Sequence, residues 1–340
     1  MTLIAAHKVE EIPLLIGDFL ITGGNRSFTL KKVHIISPNL AVGWTGNLLA
    51  ARPVLRALNA QFKHARVSRK ELERFLTSYS QDESTEVFVR LIGWIVDEEP
   101  RCFRWRSDYT SEVFYADHFF DGSGADTYEA LVNNPGTKRG VQSRSISNVE
   151  KAIYFALFQA CTLMSDEVMD KKNQQIGFGH GYEAAYFDNN EFKFVDDVLY
   201  VVWDFYYDLK GKGGGHRFYP IVHKYRSFGY YSVVQRHNFQ TAETVFNAIT
   251  PIFDDMPNLF EIIPGVDVAN KKALPLASNY YCLFFRLEAS DGVMGTGSVV
   301  FPGTQDNLPL VIERTGGREI LRFKFDFVAV LYEQLIKMQS

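Results

Sequence analysis

Along its first two hundred residues the chain alternates pairs of strand-length runs with pairs of helical stretches, and few architectures accept that order. Leu3 to Val9 and Ile12 to Gly17 read as two short strands turning at Glu10-Glu11. Pro13 falls near the start of the second, where a missing N–H is tolerated. Phe28 to Ile36 and Leu40 to Trp44 form the next pair, around Ser37-Pro38-Asn39. On an alternating strand Lys32 and His34 face one way and Lys31 and Val33 the other, so one of the two lysines is expected to point inward. A helix follows, with Leu48, Leu49, Val54, Leu55 and Leu58 at helical spacing and Pro53 confined to its first turns. A capping box at Ser68 and Glu71 opens a second helix. Val87 to Val96 and Arg101 to Trp105 make another strand pair, and Glu112 to Phe120 reads as one further strand. A helix from about Gly124 precedes a strongly apolar one, which opens at the Ser147 and Glu150 capping box and runs to about Met169. Strands at Gly179 to Phe187 and Glu191 to Phe194 then flank the turn Asp188-Asn189-Asn190. Taken together the order is that of an α+β sandwich, helix–sheet–sheet–helix.

The Lys/Gly run Lys210 to Gly215 marks a boundary, so residues 1–209 are expected as one domain and 210–340 as a second. Beyond it come strand-like runs (Phe228 to Val234, Tyr280 to Leu287, Gly297 to Phe301, Leu308 to Ile312, Ile320 to Phe327). Thr241 to Ile249 and Val328 to Met338 read as helical, which makes this an additional α+β region whose role the residues do not name.

With 46% hydrophobic residues in 340, the chain can bury a sizeable core. A net charge of −4 supplies no basic footprint for nucleic acid. Apolar runs such as Ile12 to Ile16 and Val198 to Trp203 are strand-sized rather than membrane-spanning, and the first residues lack the basic and apolar regions of a signal peptide. Cys102, Cys161 and Cys282 are odd in number and far apart, which fits a reducing cytoplasm and neither a metal pattern nor a disulfide framework. His216, His223 and His237 have no metal-ligand spacing, and Gly213-Gly214-Gly215-His216 lacks the Lys-Ser/Thr ending of a phosphate loop. The expectation is a soluble cytoplasmic protein with no nucleic acid, membrane, metal or cofactor.

The front of the chain carries chemistry. Thr2 follows Met1, and aminopeptidases remove a Met that precedes a small residue. An N-terminal threonine offers a hydroxyl nucleophile and an α-amine base, whose reference pKa is about 7.7–8.0. Asp18 closes the apolar run Leu14-Leu15-Ile16, and Thr22-Gly23-Gly24-Asn25 follows as a loop. Then come Lys31-Lys32-Val33, Gly46 just before the first helix, and Gly122-Ser123-Gly124 at a strand-to-helix turn.

In this order and at these spacings the residues resemble proteasome β subunits and the bacterial proteasome-like peptidases, which are N-terminal-nucleophile hydrolases. Asp18 lies sixteen residues after Thr2 and Gly46 fourteen after Lys32, as in that family. The similarity covers roughly residues 2 to 206 and is strongest before residue 60. It implies a four-layer αββα sandwich of the N-terminal-nucleophile type. It also implies amide or peptide hydrolysis through an acyl-enzyme on Thr2 after Met1 removal. By resemblance, Lys32 lowers the pKa of the Thr2 hydroxyl, Asp18 holds Lys32, and the Gly46 N–H stabilises the oxyanion. Ser123 bonds the α-amine, and Thr22 contacts substrate backbone. A homo-oligomer and a peptide or small amide substrate follow from the same similarity.

Two departures stand out. The family's Asp-x-x-Ser-Gly run, which supports the amine, is matched only by Asn173-Gln174-Gln175-Ile176-Gly177, and Ile cannot replace the Ser as a hydrogen-bonding group. The segment after the oxyanion glycine is Asn47-Leu48-Leu49, bulkier than the family's. These leave open a proteasome-fold subunit without activity, acting as an assembly or binding module. An amidase for a small molecule is a third possibility.

Overall fold

A computed structural model describes residues 2–23, 26–79, 87–108, 112–134, 146–169, 177–208, 210, 213–228, 231–239, 243–252, 274–305, 308–315 and 318–339. It is a mixed α+β structure in two compact units. One comprises residues 1–195 with 227–232 and 248–262, the other residues 196–226 with 233–247 and 263–340.

In the first unit β1 (Ile4–Val9) and β2 (Ile12–Asp18) form a hairpin. Glu10 (φ 48°) and Glu11 (φ 67°) turn it with the left-handed backbone that matches the twist of the strands. A short ribbon follows, β3 (Leu20–Gly23) against β4 (Arg26–Thr29), and then β5 (Val33–Ser37) and β6 (Leu40–Gly46). Helix α1 (Leu48–Phe62) contains Pro53 in its second turn, and α2 (Arg69–Ser78) carries the full Ser68–Glu71 capping box. Next come β7 (Val89–Val96), β8 (Pro100–Arg106), β9 (Phe114–Ala116) and β10 (Phe119–Asp121). Helices α3 (Ala125–Asn133) and α4 (Asn148–Met169) precede β11 (Tyr182–Asp188) and β12 (Glu191–Phe194).

Two antiparallel five-stranded sheets result, in the orders β10-β1-β2-β11-β12 and β5-β6-β7-β8-β9. A core shared by both sheets is built from Ile4 and Leu15 of the first and from Val33, Ile92 and Trp94 of the second. The Trp94 indole crosses it and donates to the Leu14 carbonyl at 2.9 Å. A second core joins α1 and α2, through Val54, Leu55, Leu58 and Leu72, to Val42, Leu91 and Trp105. Helix α4 packs on β11, β2 and β1.

Two strand expectations in this unit need correction, and beyond it the expected strand Ile320 to Phe327 ends at Phe323, with a helix from Phe325. Phe28 to Ile36 is not one strand: β4 ends at Thr29, and Leu30 to Lys32 runs irregularly before β5. Glu112 to Phe120 is likewise split, because β9 pairs with β8 in one sheet and β10 with β1 in the other.

In the second unit the sheet order is β16-β15-β14-β13-β17-β18. The strands are β13 (Val198–Asp208), β14 (Gly213–Phe228), β15 (Tyr231–Asn238), β16 (Glu243–Ile249), β17 (Tyr280–Ala289) and β18 (Met294–Pro302). The hairpin β19 (Leu310–Thr315) and β20 (Arg318–Phe323) leads into helix α5 (Phe325–Gln339), and Leu331 joins Leu199, Val201 and Leu283 in the core. The boundary expected between residues 209 and 210 falls between β13 and β14 of this unit. Gly213 to Gly215, expected in a linker, extend β14 and pair with Asp208 to Tyr206. The helical pattern of Thr241 to Ile249 gives way to strand β16 from Glu243 onward, and residues 241 and 242 lie outside the described residues.

Candidate active site

Asp18 is the last residue of β2 and is fully buried. A carboxylate can be kept there only if its oxygens are well supplied with donors. Its Oδ1 accepts from the Thr2 hydroxyl at 3.0 Å, the Leu3 N–H at 2.8 Å and Lys32 Nζ at 2.6 Å. Its Oδ2 accepts from the N–H groups of Leu20 at 3.2 Å and Gly179 at 2.8 Å. Lys32 Nζ also donates to the Leu20 carbonyl. Burial draws Lys32 below the ordinary lysine range, while the Asp18 carboxylate opposes that shift by charge and by hydrogen bond.

The break in the expected strand is what brings Lys32 here. Regular alternation turns neighbouring side chains to opposite faces, yet Lys31 and Lys32 are both buried. The irregular residues Leu30 to Lys32 let both turn inward, so the expectation of a single inward lysine is corrected. Lys31 forms a buried ion pair with Glu183 at 3.0 Å, donates to the Ser232 hydroxyl at 3.0 Å, and stands 3.9 Å above the Phe194 ring. His34 is buried nearby. Desolvation, reinforced by the Lys31 charge and only partly offset by a bond to the Lys31 backbone, lowers its pKa to about 3.

Thr2 is 5% exposed and is gripped along its backbone as well as by its hydroxyl. Its carbonyl accepts from Gly124 N–H at 3.2 Å, and the next carbonyl, of Leu3, accepts from Asp18 N–H at 3.2 Å. Gly122 has φ +92°, and a Cβ there would lie 2.0 Å from the Thr2 carbonyl oxygen, so the turn admits only glycine. Ser123 Oγ stands 3.5 Å from that same carbonyl, at the outer limit of a hydrogen bond, so its contact is with the carbonyl end of Thr2 rather than its nitrogen.

Asp121 ties this turn to the other sheet. Its carboxylate accepts from Gly122 N–H at 2.8 Å, from Arg90 at 2.9 Å and from the Thr45 hydroxyl at 2.8 Å. Thr45 neighbours Gly46, which ends β6 exposed and left-handed (φ +99°) as the chain turns into α1. Asn47 caps that helix by accepting from Leu49 N–H at 2.8 Å, and the Leu49 side chain is 78% exposed. Thr22 is half-buried on the β3–β4 ribbon, opposite Ser27. Gly24, Asn25 and the run Asn173 to Ile176 lie outside the described residues.

The structure therefore brings Thr2, Asp18 and Lys32 into one hydrogen-bonded group and sets Ser123 beside Thr2. Gly46 is linked to them through Thr45 and Asp121, and Thr22 lies on the ribbon opposite Ser27. Two contributors had no clear mark in the sequence, Asp121 and Gly179, and the only cue to the second was the spaced glycines Gly177, Gly179 and Gly181. Among the described residues no group of three or more His, Cys, Asp or Glu side chains is arranged to hold a metal ion. No described helix is long and apolar enough to cross a membrane. No protein-family model matches this chain, and no curated protein matches its sequence.

Proposed function

We propose that the chain is a threonine-type amidohydrolase or peptidase of the N-terminal-nucleophile kind, with the first unit as its four-layer αββα catalytic domain. One observation carries this function: the Thr2 hydroxyl, the Leu3 N–H and Lys32 Nζ converge on a single oxygen of Asp18. A scaffold has no physical need for a buried lysine, a buried aspartate and a hydroxyl at the second residue of the chain in mutual contact.

Removal of Met1 frees the Thr2 amine. The Thr2 hydroxyl oxygen then bonds to the carbonyl carbon of an amide, and its proton passes to the amine. The leaving nitrogen takes that proton back from the ammonium as the C–N bond breaks, leaving an ester on Thr2. Water, deprotonated by the freed amine, attacks the ester carbonyl; as the bond to Oγ1 breaks, the acid is released and Oγ1 recovers a proton from the amine. Lys32, held by Asp18, favours the oxyanionic character of Thr2 Oγ1. The Gly46 N–H is the proposed oxyanion donor and Thr22 a substrate contact, while Ser123, which stands at the Thr2 carbonyl, is proposed to reach the amine only once Met1 is removed. The proposed setting is a cytoplasmic homo-oligomer acting on a peptide or small amide.

The low exposure of Thr2 favours a second reading, an inactive proteasome-fold subunit that serves as an assembly or binding module.

Intact mass of the native protein and labelling with a peptidyl epoxyketone, which joins both the hydroxyl and the amine of an N-terminal threonine, separate the two. Met1 absent and one adduct on Thr2, lost in Thr2→Ala and in Lys32→Met, is the expected result. A retained Met1 removes the enzymatic reading.

A further inference from the structure

We infer that Glu167 is a positioning residue for the Thr2 site, acting through the segment Gly177 to Gly181. This inference rests on the function proposed above and adds to it a group outside the Thr2, Asp18 and Lys32 cluster.

Four of the five residues in that segment are left-handed: Gly177 (φ 93°), Gly179 (φ 126°), His180 (φ 64°) and Gly181 (φ 102°). Glycine adopts such a backbone freely, so among these four only His180 holds it against its side chain's preference, which persists only where the surroundings dictate it. One face of the segment meets the site. Gly179 N–H donates to Asp18 Oδ2 at 2.8 Å, and the Gly179 carbonyl accepts from Phe19 N–H at 3.1 Å and Leu20 N–H at 2.9 Å. Phe178, fully buried, lies against the 122–124 turn that holds the Thr2 carbonyl, since a Cβ on Gly124 would stand 3.0 Å from its ring.

The other face meets Glu167, which is 6% exposed near the end of α4. Its Oε2 accepts from His180 N–H at 2.9 Å and its Oε1 from the Tyr182 hydroxyl at 2.8 Å. A Cβ on Gly179 would lie 2.4 Å from Glu167 Oε1, so the glycine leaves space for the carboxylate. A carboxylate in the last turn of a helix faces the negative end of its dipole, so helix stability does not account for it. Its bond to His180 N–H instead holds the peptide unit that follows Gly179, while the Tyr182 hydroxyl steadies the carboxylate, and together they position the donor that Gly179 presents to Asp18.

The test compares the wild type with Glu167→Gln, which keeps the shape but turns an amide NH2 toward one of the two donors. Epoxyketone labelling of Thr2 is followed alongside amide hydrogen exchange of Gly179 and His180 and urea unfolding. The expected result is a labelling rate lowered by about tenfold to a hundredfold. Exchange at Gly179 and His180 speeds up while urea unfolding stays that of the wild type. A purely structural role lowers the rate only as far as the folded fraction falls, and speeds exchange throughout the chain. Wild-type labelling, or wild-type exchange at Gly179 and His180, in Glu167→Gln overturns the inference. Should that variant not fold, Tyr182→Phe removes one donor and leaves the carboxylate; a smaller loss with the same local exchange supports the role, and unchanged labelling and exchange overturn it. If the wild type itself is not labelled, the proposed function fails. Exchange then decides the positioning role alone: faster exchange at Gly179 and His180 in Glu167→Gln supports it, and unchanged exchange overturns it.

Discussion

Asp18 is saturated: five donors converge on its two oxygens. It therefore orients its neighbours, and in the proposed reaction the proton acceptor is the Thr2 amine. Asp18→Asn replaces one acceptor by a donor amid donors and strips Lys32 of its counter-charge. A loss of about 3–5 kcal/mol in urea unfolding is expected, the range for removing one partner of a buried pair, together with loss of Thr2 labelling. His34 gives a prediction of opposite character. Its folded pKa of about 3 lies below the unfolded value of 6.5. The unfolded chain thus takes up a proton that the folded chain refuses, and stability falls as pH drops from 6.5 toward about 3. Between pH 7 and 4.5 this one residue is expected to cost about 2–3 kcal/mol. Urea unfolding of His34→Gln at both pH values should show the acid loss reduced by that amount.

At the scale of elements, the interrupted strand between β4 and β5 is stabilised by the ion pair of Lys31 with Glu183, both buried. Lys31→Met alone should destabilise by about 3–5 kcal/mol, because it leaves the Glu183 charge buried without its partner. The double variant Lys31→Met with Glu183→Gln should recover most of that loss, and a double-mutant cycle by denaturant unfolding measures the coupling. The same interruption marks where sequence stops predicting structure. Hairpins at Glu10-Glu11 and Asn189-Asn190, the Ser68 capping box and the apolar α4 were legible because their signals are local. The grouping of Thr2, Asp18 and Lys32 was reached through the resemblance to N-terminal-nucleophile hydrolases, since each residue alone has an ordinary structural reading. The inward turn of both lysines was not legible, since it depends on Glu183, 152 positions beyond Lys31. Nor was the 112–120 split, where adjacent residues serve different sheets. In β16, Val245, Phe246 and Ile249 sit at helical spacing, but pairing beside β15 overrides that pattern. Glu167 and Gly179 escaped notice because their partners come from distant elements.

For the whole molecule, the first unit is discontinuous in sequence. Ile252, fully buried, belongs to the core of α1 and α2, and the Thr250 carbonyl accepts from Lys31 N–H at 2.9 Å. A fragment ending at residue 209 lacks both, together with the Ser232 partner of Lys31. Its expected behaviour in thermal and urea unfolding is a broad, early transition. The lost Ile252 packing alone accounts for about 2–5 kcal/mol. A fragment as stable as the intact first unit would show that these segments add nothing to it.

Thr2 is held by its hydroxyl, by its carbonyl and by the amide that follows it. None of these bonds uses the Thr2 nitrogen. The geometry around the hydroxyl is thus complete while Met1 is still attached, and only the amine is masked. On the proposed function, onset of activity is a matter of timing, set by the aminopeptidase that exposes Thr2. Folding would deliver a finished but silent site, and a single peptide-bond cleavage would start it.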